Sequence, residues 1–538
     1  LSRISHIRVR DNVIRYTDHS AITIKDGSSW GKKGADIGVL HKVDVLRNKL
    51  YEIGPRPIRS ESSHAMQITN GELVEIAGNF LENCYGAGIF VFGGKGADIR
   101  VKPLIRILIH HNKVKNPLLN TNDWGGIETW QGGPVYTFNN VSENPGGYWY
   151  WKHLQQDDPL KRTHNTARFG FAYYLDGAFK NYLFNNIAIG HSNDLISRTC
   201  NACGLQEIIG FQNAFFNNTF YKFGAGSRRQ AAMAGRNYYL SNVWQDMGEF
   251  YFRHAQPRMA EADQNVADAQ MAGKLDEPYA YKTLAYKKNV FFGNPRDFGV
   301  FEHTGIVYPT IDRFQNALKE RQTLTFNPGV TDPVPTLPNA PEHDFRISEN
   351  SKAINNGTKF FVPWSLYAVV GEWNFYQNHT DPLIIHDEHW YMTDEYKNRS
   401  MYRFVPRYDL ATANITREDF REGTLENWTQ GSLTFNGENQ YCSVSDAEMK
   451  SDYSFDGGDK QRQLQGSYEG EDRKNLDMND NNFLIELVFK AIDAEHMPLV
   501  NKMGKTAGYE LKLTKKGNLV FEIRASGKKQ ILESNRKL

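Results

Sequence analysis

Four acids carry the clearest potential for chemistry in this sequence: Asp123, Glu128, Asp176 and Glu207. Glu128 stands in Gly126-Ile127-Glu128-Thr129-Trp130-Gln131-Gly132, which has the frame of Gly88-Ile89-Phe90-Val91-Phe92-Gly93-Gly94, so a carboxyl takes the place of the apolar Phe90. A carboxyl there costs desolvation and adds nothing to packing, which points to a chemical role. Counted back from the asparagine that ends the next turn, Glu128 stands 12 residues before Asn140, Asp176 stands 10 before Asn186 and Glu207 stands 11 before Asn218. Three successive units are therefore expected to bring an acid to nearly one height, about 4.8 Å apart if the strands are neighbours. Carboxyls that close do not all ionise, and the resulting split of pKa values is what general acid and base roles require. The plainer reading has these acids facing solvent or paired with Arg168, Arg228 or Arg229.

The surroundings favour a sugar. Trp124 and Trp130 flank Glu128, and a long insertion carries Trp149, Trp151 and His153 toward the Asp176 unit. Aromatic faces stack on the C–H faces of sugar rings while charged groups, here including Arg168 and Arg228, reach the hydroxyls. Some of these tryptophans would otherwise serve as interior ladder residues. His110, His111, His164 and His191 are scattered and read as turn or surface positions. No metalloprotease or zinc-finger spacing occurs, no cofactor is indicated, and Ca²⁺ is compatible with the acids without a motif that calls for it. The four cysteines (Cys84, Cys200, Cys203, Cys442) are too few for a disulfide scaffold and read as buried or incidental.

The acids have to be positioned by something regular, and the first three hundred residues supply a repeat. A short aliphatic or aromatic segment runs into Asn and a further apolar residue at Asn12, Asn48, Asn79, Asn112, Asn140, Asn186, Asn218, Asn242 and Asn289, in steps of 36, 31, 33, 28, 46, 32, 24 and 47. Such a period marks a solenoid, and most units lack an amphipathic helix. The fold expected is all-β: a right-handed parallel β-helix in which each coil adds a short strand to each of several parallel sheets. Asn suits the turn because it tolerates the left-handed region and its amide can bond along the stack. The two longest steps mark insertions, one with Pro145-Gly146-Gly147 and one with an Ala-rich, helix-like run from Arg258 to Lys274.

Past Asn289 the repeat fades. Thr310 to Arg321 predicts a helix capped by Thr or Asp, Pro328 to Pro341 a rigid connection, and Asp344 to Gly357 a last coil closed by Glu372 to Tyr376. From Glu422 the pattern alternates with period two, as in Leu433-Thr434-Phe435-Asn436-Gly437, Phe483 to Phe489, Tyr509 to Leu513 and Leu519 to Ile523, which predicts a β-sandwich. Three regions are expected: a β-helix over 1–308, a terminal coil, cap and connection over 309–421, and a sandwich over 422–538. With 63 Lys+Arg against 62 Asp+Glu among 538 residues, the net charge of +1 gives no field for nucleic acid or an anionic membrane. No apolar run is long enough to span a bilayer. The opening Leu1-Ser2-Arg3-Ile4 has neither the basic nor the apolar region of a signal peptide. The 45 Gly, 32 Phe, 27 Tyr and 10 Trp agree with β structure and a carbohydrate ligand.

Asp123-Trp124-Gly125-Gly126-Ile127-Glu128-Thr129-Trp130, then Phe171-Ala172-Tyr173-Tyr174-Leu175-Asp176-Gly177 and Phe184-Asn185-Asn186-Ile187, resembles the right-handed β-helix carbohydrate-active proteins of the pectate-lyase-like superfamily. The likeness is to its glycoside hydrolases with a carboxylate pair on adjacent coils, and it covers about residues 1 to 376. The C-terminal segment, with Leu433-Thr434-Phe435-Asn436-Gly437, Gln440-Tyr441, Leu499-Val500-Asn501-Lys502 and Tyr509-Glu510-Leu511, resembles a laminin-G-like jelly roll of the concanavalin type, and reads as incomplete. The resemblance implies an exported, extracytoplasmic protein acting on a polysaccharide or glycan. The leading expectation is hydrolysis of glycosidic bonds, Glu128 and Asp176 serving as acid and as nucleophile or base, with Glu207 and then Asp123 as further candidates. The insertion between them reads as a loop rather than a hidden coil, which favours carboxyls about 5 Å apart and retention of configuration. A polysaccharide lyase is the alternative, drawing a base and charge neutralisation from Lys152, His153, Arg168, Arg228 and Arg229. A non-catalytic glycan-binding or adhesin solenoid is the third.

Overall fold

The computed structural model describes residues 3–25, 39–56, 63–93, 106–146, 170–190, 202–254 and 284–358, with interruptions of up to six residues, together with 454–465 and 497–537. Three long parallel sheets form the first part of the chain. The first has nine strands, from Arg3–Arg10 to Ala285–Lys287; the second has ten, from Val13–Thr17 to Gly329–Thr331. The third carries the candidate residues and its strands are labelled β1 (Ile22–Lys25), β2 (Met66–Thr69), β3 (Ile89–Gly93), β4 (Trp124–Gly132), β5 (Gly170–Ala178), β6 (Ala202–Ile208), β7 (Ala225–Gln230), β8 (Phe250–His254), β9 (Gly299–Phe301) and β10 (Ile306–Tyr308). The first nine coils each give one strand to each sheet, which is the architecture of a parallel β-helix, and β10 then turns back antiparallel to β9.

The asparagine repeat is a continuous ladder. The backbone N–H of Asn12 donates to Asn48 Oδ1 at 3.2 Å, and the same bond recurs from Asn48 to Asn79, Asn112, Asn140, Asn186, Asn218, Asn242 and Asn289. The residue before each ladder asparagine has positive φ, as at Asp11 (59°), Asn139 (53°), Asn185 (53°) and Asn217 (59°). That conformation turns the chain between the first and second sheets, and Asn pays little for it. Ring stacks repeat the coil spacing: Phe138 lies 4.9 Å from Phe184, which lies 5.2 Å from Phe216. Inside the solenoid, aliphatic residues such as Val43, Ile76, Ile109 and Leu183 give way after the sixth coil to Phe215, Tyr239, Trp244, Phe252 and Tyr286.

One end of the stack is closed by α1 (Ile311–Glu320), whose Thr310 cap accepts from the Arg313 N–H, as the sequence predicted. Phe314 of α1 is fully buried against Phe252 and Phe301. The parallel pairing continues beyond residue 308, since Gly329–Thr331 pairs with Asn289–Phe292 in the second sheet. Residues 344–357, expected as a last coil, contain no strand among those described. This part of the chain instead crosses the outer side of the second sheet. Gln245 bonds both the N–H and the C=O of Leu337, Phe345 packs edge-on against Tyr221, and Thr358 exchanges bonds with Asn217. The run from Arg258 to Lys274 and the residues from Glu372 to Tyr376 lie outside the described residues.

A second compact unit comprises Ser432–Asp452 and Gly466–Leu538, while Tyr453–Gln465 groups with the first. The described strands of the second unit, Met497–Met503, Gly508–Leu513, Asn518–Ala525 and Lys528–Lys537, form one antiparallel sheet in sequence order. Its buried residues fall on both faces: Tyr509 and Leu513 on one, and Val520 and Glu522, which pair with Lys512 and Glu510, on the other. The expected strand at 432–437 lies outside the described residues.

Candidate active site

Side-chain parity decides what the third sheet presents. Ile127, Tyr173, Leu205 and Phe252 belong to the interior core and stand opposite one another across β4, β5, β6 and β8, with Ser227 of β7 between the last two. The next residue of each strand therefore faces outward. That outward column, read along the solenoid, is Gln67, Phe90, Glu128, Tyr174, Gln206, Arg228 and Arg253. A second outward column two residues on contains Thr69, Phe92, Trp130, Asp176, Ile208 and Gln230.

Glu128 is 1% exposed. Its Oε2 accepts the Gly125 N–H at 2.9 Å, and its Oε1 is buried with no hydrogen-bond partner among the described residues. Gly125 also lets β5 pass close by, because a Cβ there would lie 2.7 Å from Cβ of Tyr174. Burial pushes the Glu128 carboxyl well above the ordinary carboxylate range, opposed by the Gly125 bond and reinforced by the charges of Asp176 and Asp123. Asp176 is half-buried and Asp123 is exposed, held at positive φ (64°) just before β4. Tyr174 sits among these groups: its hydroxyl donates to Asp123 Oδ1 at 3.5 Å, and burial, then the charges of Asp176, Asp123 and Glu128, raise its pKa against the opposing effect of Arg228. Arg228 is buried three strands from Glu128 in the same column.

The insertion between Glu128 and Asp176 hides no coil, since β4 and β5 pair directly. The two acids are nevertheless not opposite each other. Glu128 faces Tyr174, and Asp176 faces Trp130. One strand spacing across and two residues along place their Cα atoms roughly 8 Å apart. The Glu128 carboxyl bends back toward Gly125, away from Asp176. The expected 5 Å pair is replaced by a diagonal one.

Glu207 does not join them. It faces Leu175 and Arg229 and points into the solenoid, fully buried. There it accepts from Asn213 Nδ2 at 2.9 Å, from Asn237 Nδ2 and from the Tyr239 hydroxyl at 3.0 Å, with Arg229 Nε 3.5 Å away. The counts of 12 and 10 residues share a parity, whereas 11 does not, and in a strand one residue reverses the face. The plainer reading of Glu207, pairing with Arg229, is the observed one.

Trp124 and Trp130 are half-buried on the outer face, packed against Phe90 and Phe92, and are not interior ladder residues. Trp149, Trp151, His153 and Arg168 lie outside the described residues. His110 and His111 are not surface residues: both are fully buried, in a chain of contacts from Glu75 through His110 Nε2 (3.0 Å) and His110 Nδ1 to His111 Nδ1 (2.8 Å). Burial lowers the His110 pKa to about 3. Cys84 and Cys203 are buried. Among the described residues no three His, Cys, Asp or Glu side chains gather as a metal site, and no helix is long and apolar enough to cross a membrane.

Sequence reasoning missed Tyr174, Gln206, Gln67 and His64. The first three occupy the position of Phe90 and Glu128 in neighbouring coils, and extending the frame that singled out Glu128 would have found them. His64 precedes β2 and carries no such signal. No family model, curated protein or solved structure matches this chain, so the likeness to β-helix carbohydrate-active proteins rests on the motifs quoted for it.

Proposed function

We propose that the outer face of the third sheet is the catalytic face of a glycoside hydrolase acting on a polysaccharide or glycan outside the cytoplasm. The observation that carries this reading is the Glu128 carboxyl: buried, fixed by one backbone bond, with its second oxygen unpartnered, in the field of two other acids. Such a group holds its proton to higher pH than an ordinary carboxyl and can deliver it to a leaving glycosidic oxygen. Asp176, half-buried on the adjacent coil, is the base. The diagonal register leaves room for a water between acid and base, which supports inversion rather than the retention expected from directly opposed acids. Trp124 and Trp130 provide the apolar surface on which sugar rings stack, and Asp123 orients Tyr174 at the exposed edge of the group.

The test is release of reducing ends by the full chain across a broad glycan panel, with Glu128→Gln and Asp176→Asn in parallel. Each substitution is expected to lower turnover by at least ~10²-fold. Unsaturated, ultraviolet-absorbing products would indicate a lyase, and silence across the panel would favour a glycan-binding solenoid. Near-wild-type activity in both variants would remove this pair from the chemistry.

A further inference from the structure

Toward the N-terminus from Glu128, Trp124 packs against two rings that the catalytic proposal does not use, His64 and Phe90. The ring of His64 lies flat on Phe90, with centroids 4.3 Å apart and planes within 7°, and Trp124 meets both rings edge-on at 4.7 and 5.6 Å. His64 is fully buried, and its Nδ1 accepts the Ala87 N–H at 3.2 Å. In the neutral ring the proton must then sit on Nε2. Nε2 is buried and has no hydrogen-bond partner among the described residues. Two oxygens of the adjoining outward column are also buried without a partner among the described residues, the amide acceptor Gln67 Oε1 and Glu128 Oε1 of the protonated carboxyl. Buried polar groups left unpaired around one ring, Phe90, which His64 stacks on and Gln67 and Glu128 flank in register, cost a folded chain stability.

We propose that His64, Gln67 and Trp124 form a sugar subsite beside Glu128 that selects an uncharged pyranose. The inference rests on the Glu128 face being the substrate-binding face and adds the class of substrate. A sugar hydroxyl both donates and accepts, so one ring can take the His64 N–H, give a proton to Gln67 and accept the one that Glu128 holds. The carboxylate of a uronic acid, or a sulfate ester, only accepts. It would meet the Gln67 oxygen lone pair against lone pair, in the field of Asp123 and Asp176. Burial holds His64 neutral, with its pKa near 3, so it offers a dipole and not a cation. Lys25, whose field reaches His64, is exposed on β1 and offers only screened compensation. Arg228 lies five strands from β2, roughly 24 Å along the solenoid.

The experiment is calorimetric titration of the full chain carrying Asp176→Asn with neutral hexasaccharides (cellohexaose, xylohexaose, mannohexaose) and with hexagalacturonate and hexamannuronate. At least one neutral hexamer is expected to bind ~10-fold or more tightly than either uronate. His64→Phe, which keeps the stack and removes the N–H, should weaken that binding ~10-fold, as loss of one buried hydrogen bond implies. Gln67→Met should act in the same direction and serves if His64→Phe fails to fold. Equal or tighter binding of a uronate, unchanged affinity in the folded variants, or no binding of any hexamer would overturn the proposal. Reducing-end release from the same hexamer by the chain with Asp176 intact separates the two readings. Binding that depends on His64 without cleavage keeps the subsite and removes the hydrolase, whereas cleavage of hexagalacturonate alone does the reverse.

Discussion

Glu128→Gln tests the acid by thermodynamics, independently of any substrate. In the unfolded chain a glutamate ionises near pH 4.3, so above that value the unfolded state has released a proton that the folded state still holds at Glu128. The folded state binds more protons, and stability must fall as pH rises until the raised native pKa is reached. The contribution is fully present below the unfolded pKa. The limiting slope is about 1.4 kcal/mol per pH unit from this one group. Glutamine keeps the bond from the Gly125 N–H through its own carbonyl and places an NH₂ where Oε1 lacks a partner, a cost that does not vary with pH. The unfolding free energy of the variant minus that of the wild type should therefore increase by about 1.4 kcal/mol between about pH 5 and about pH 6, and the subtraction cancels the other carboxyls. Urea denaturation at 25 °C at several pH values supplies the difference. Difference infrared spectra should show a protonated carboxyl band near neutral pH that vanishes in the variant. A difference flat to within about 0.3 kcal/mol would show that Glu128 titrates alike in both states, and the general-acid role would fall with it.

Three other expectations follow from the same geometry. Asn140→Ala removes the acceptor of the Asn112 N–H and a donor to Asn186 Oδ1 in the buried ladder. It should cost about 2–4 kcal/mol, against under about 0.5 for Asn12→Ala at the exposed end; equal costs in urea unfolding would contradict a cooperative ladder. Arg229→Met leaves Glu207 charged inside the solenoid and should destabilise by about 3–5 kcal/mol, much of it recovered by adding Glu207→Leu. If the single variant unfolds like the parent, the inward assignment of Glu207 carries no energetic weight. Proton NMR of the first-formed product should show inverted anomeric configuration, and a retained anomer would require a nucleophile closer to Glu128 than the diagonal Asp176.

Much of the fold was legible because a solenoid repeats its constraints. Each coil needs a residue that accepts positive φ, a ladder asparagine and apolar residues at period two, so nine imperfect copies reinforce one another and the register of Asn79, Asn112 and Asn140 could be read directly. The coil expected over residues 344–357 failed for the same reason. It occurs once, and apolar residues such as Phe345 suit a segment lying across a sheet as well as one inside it. The site was legible in part: Glu128 stood out because a carboxyl replaced Phe90, but the depth of its burial depends on contacts far apart in sequence. His64 belongs to that second class, since the stack on Phe90 and the bond from Ala87 span more than twenty residues.

The error over Glu207 shows what a β-helix asks of a sequence reading. Height along the solenoid is set by counting coils and tolerates a residue either way, but the face of a strand is set by counting modulo two and tolerates none. Glu207 and Asp176 stand on neighbouring strands one residue out of register, and that residue separates an outward acid from an acid sealed among Asn213, Asn237, Tyr239 and Arg229. Inside, every oxygen of the carboxylate is engaged; outside, Glu128 retains one that is not. Polar residues thus take opposite roles on the two sides of one sheet. Within the solenoid, both Glu207 oxygens are bonded in surroundings of low polarity; on the outer face, His64 Nε2, Gln67 Oε1 and Glu128 Oε1, unpartnered among the described residues, are the ones a ligand can complete.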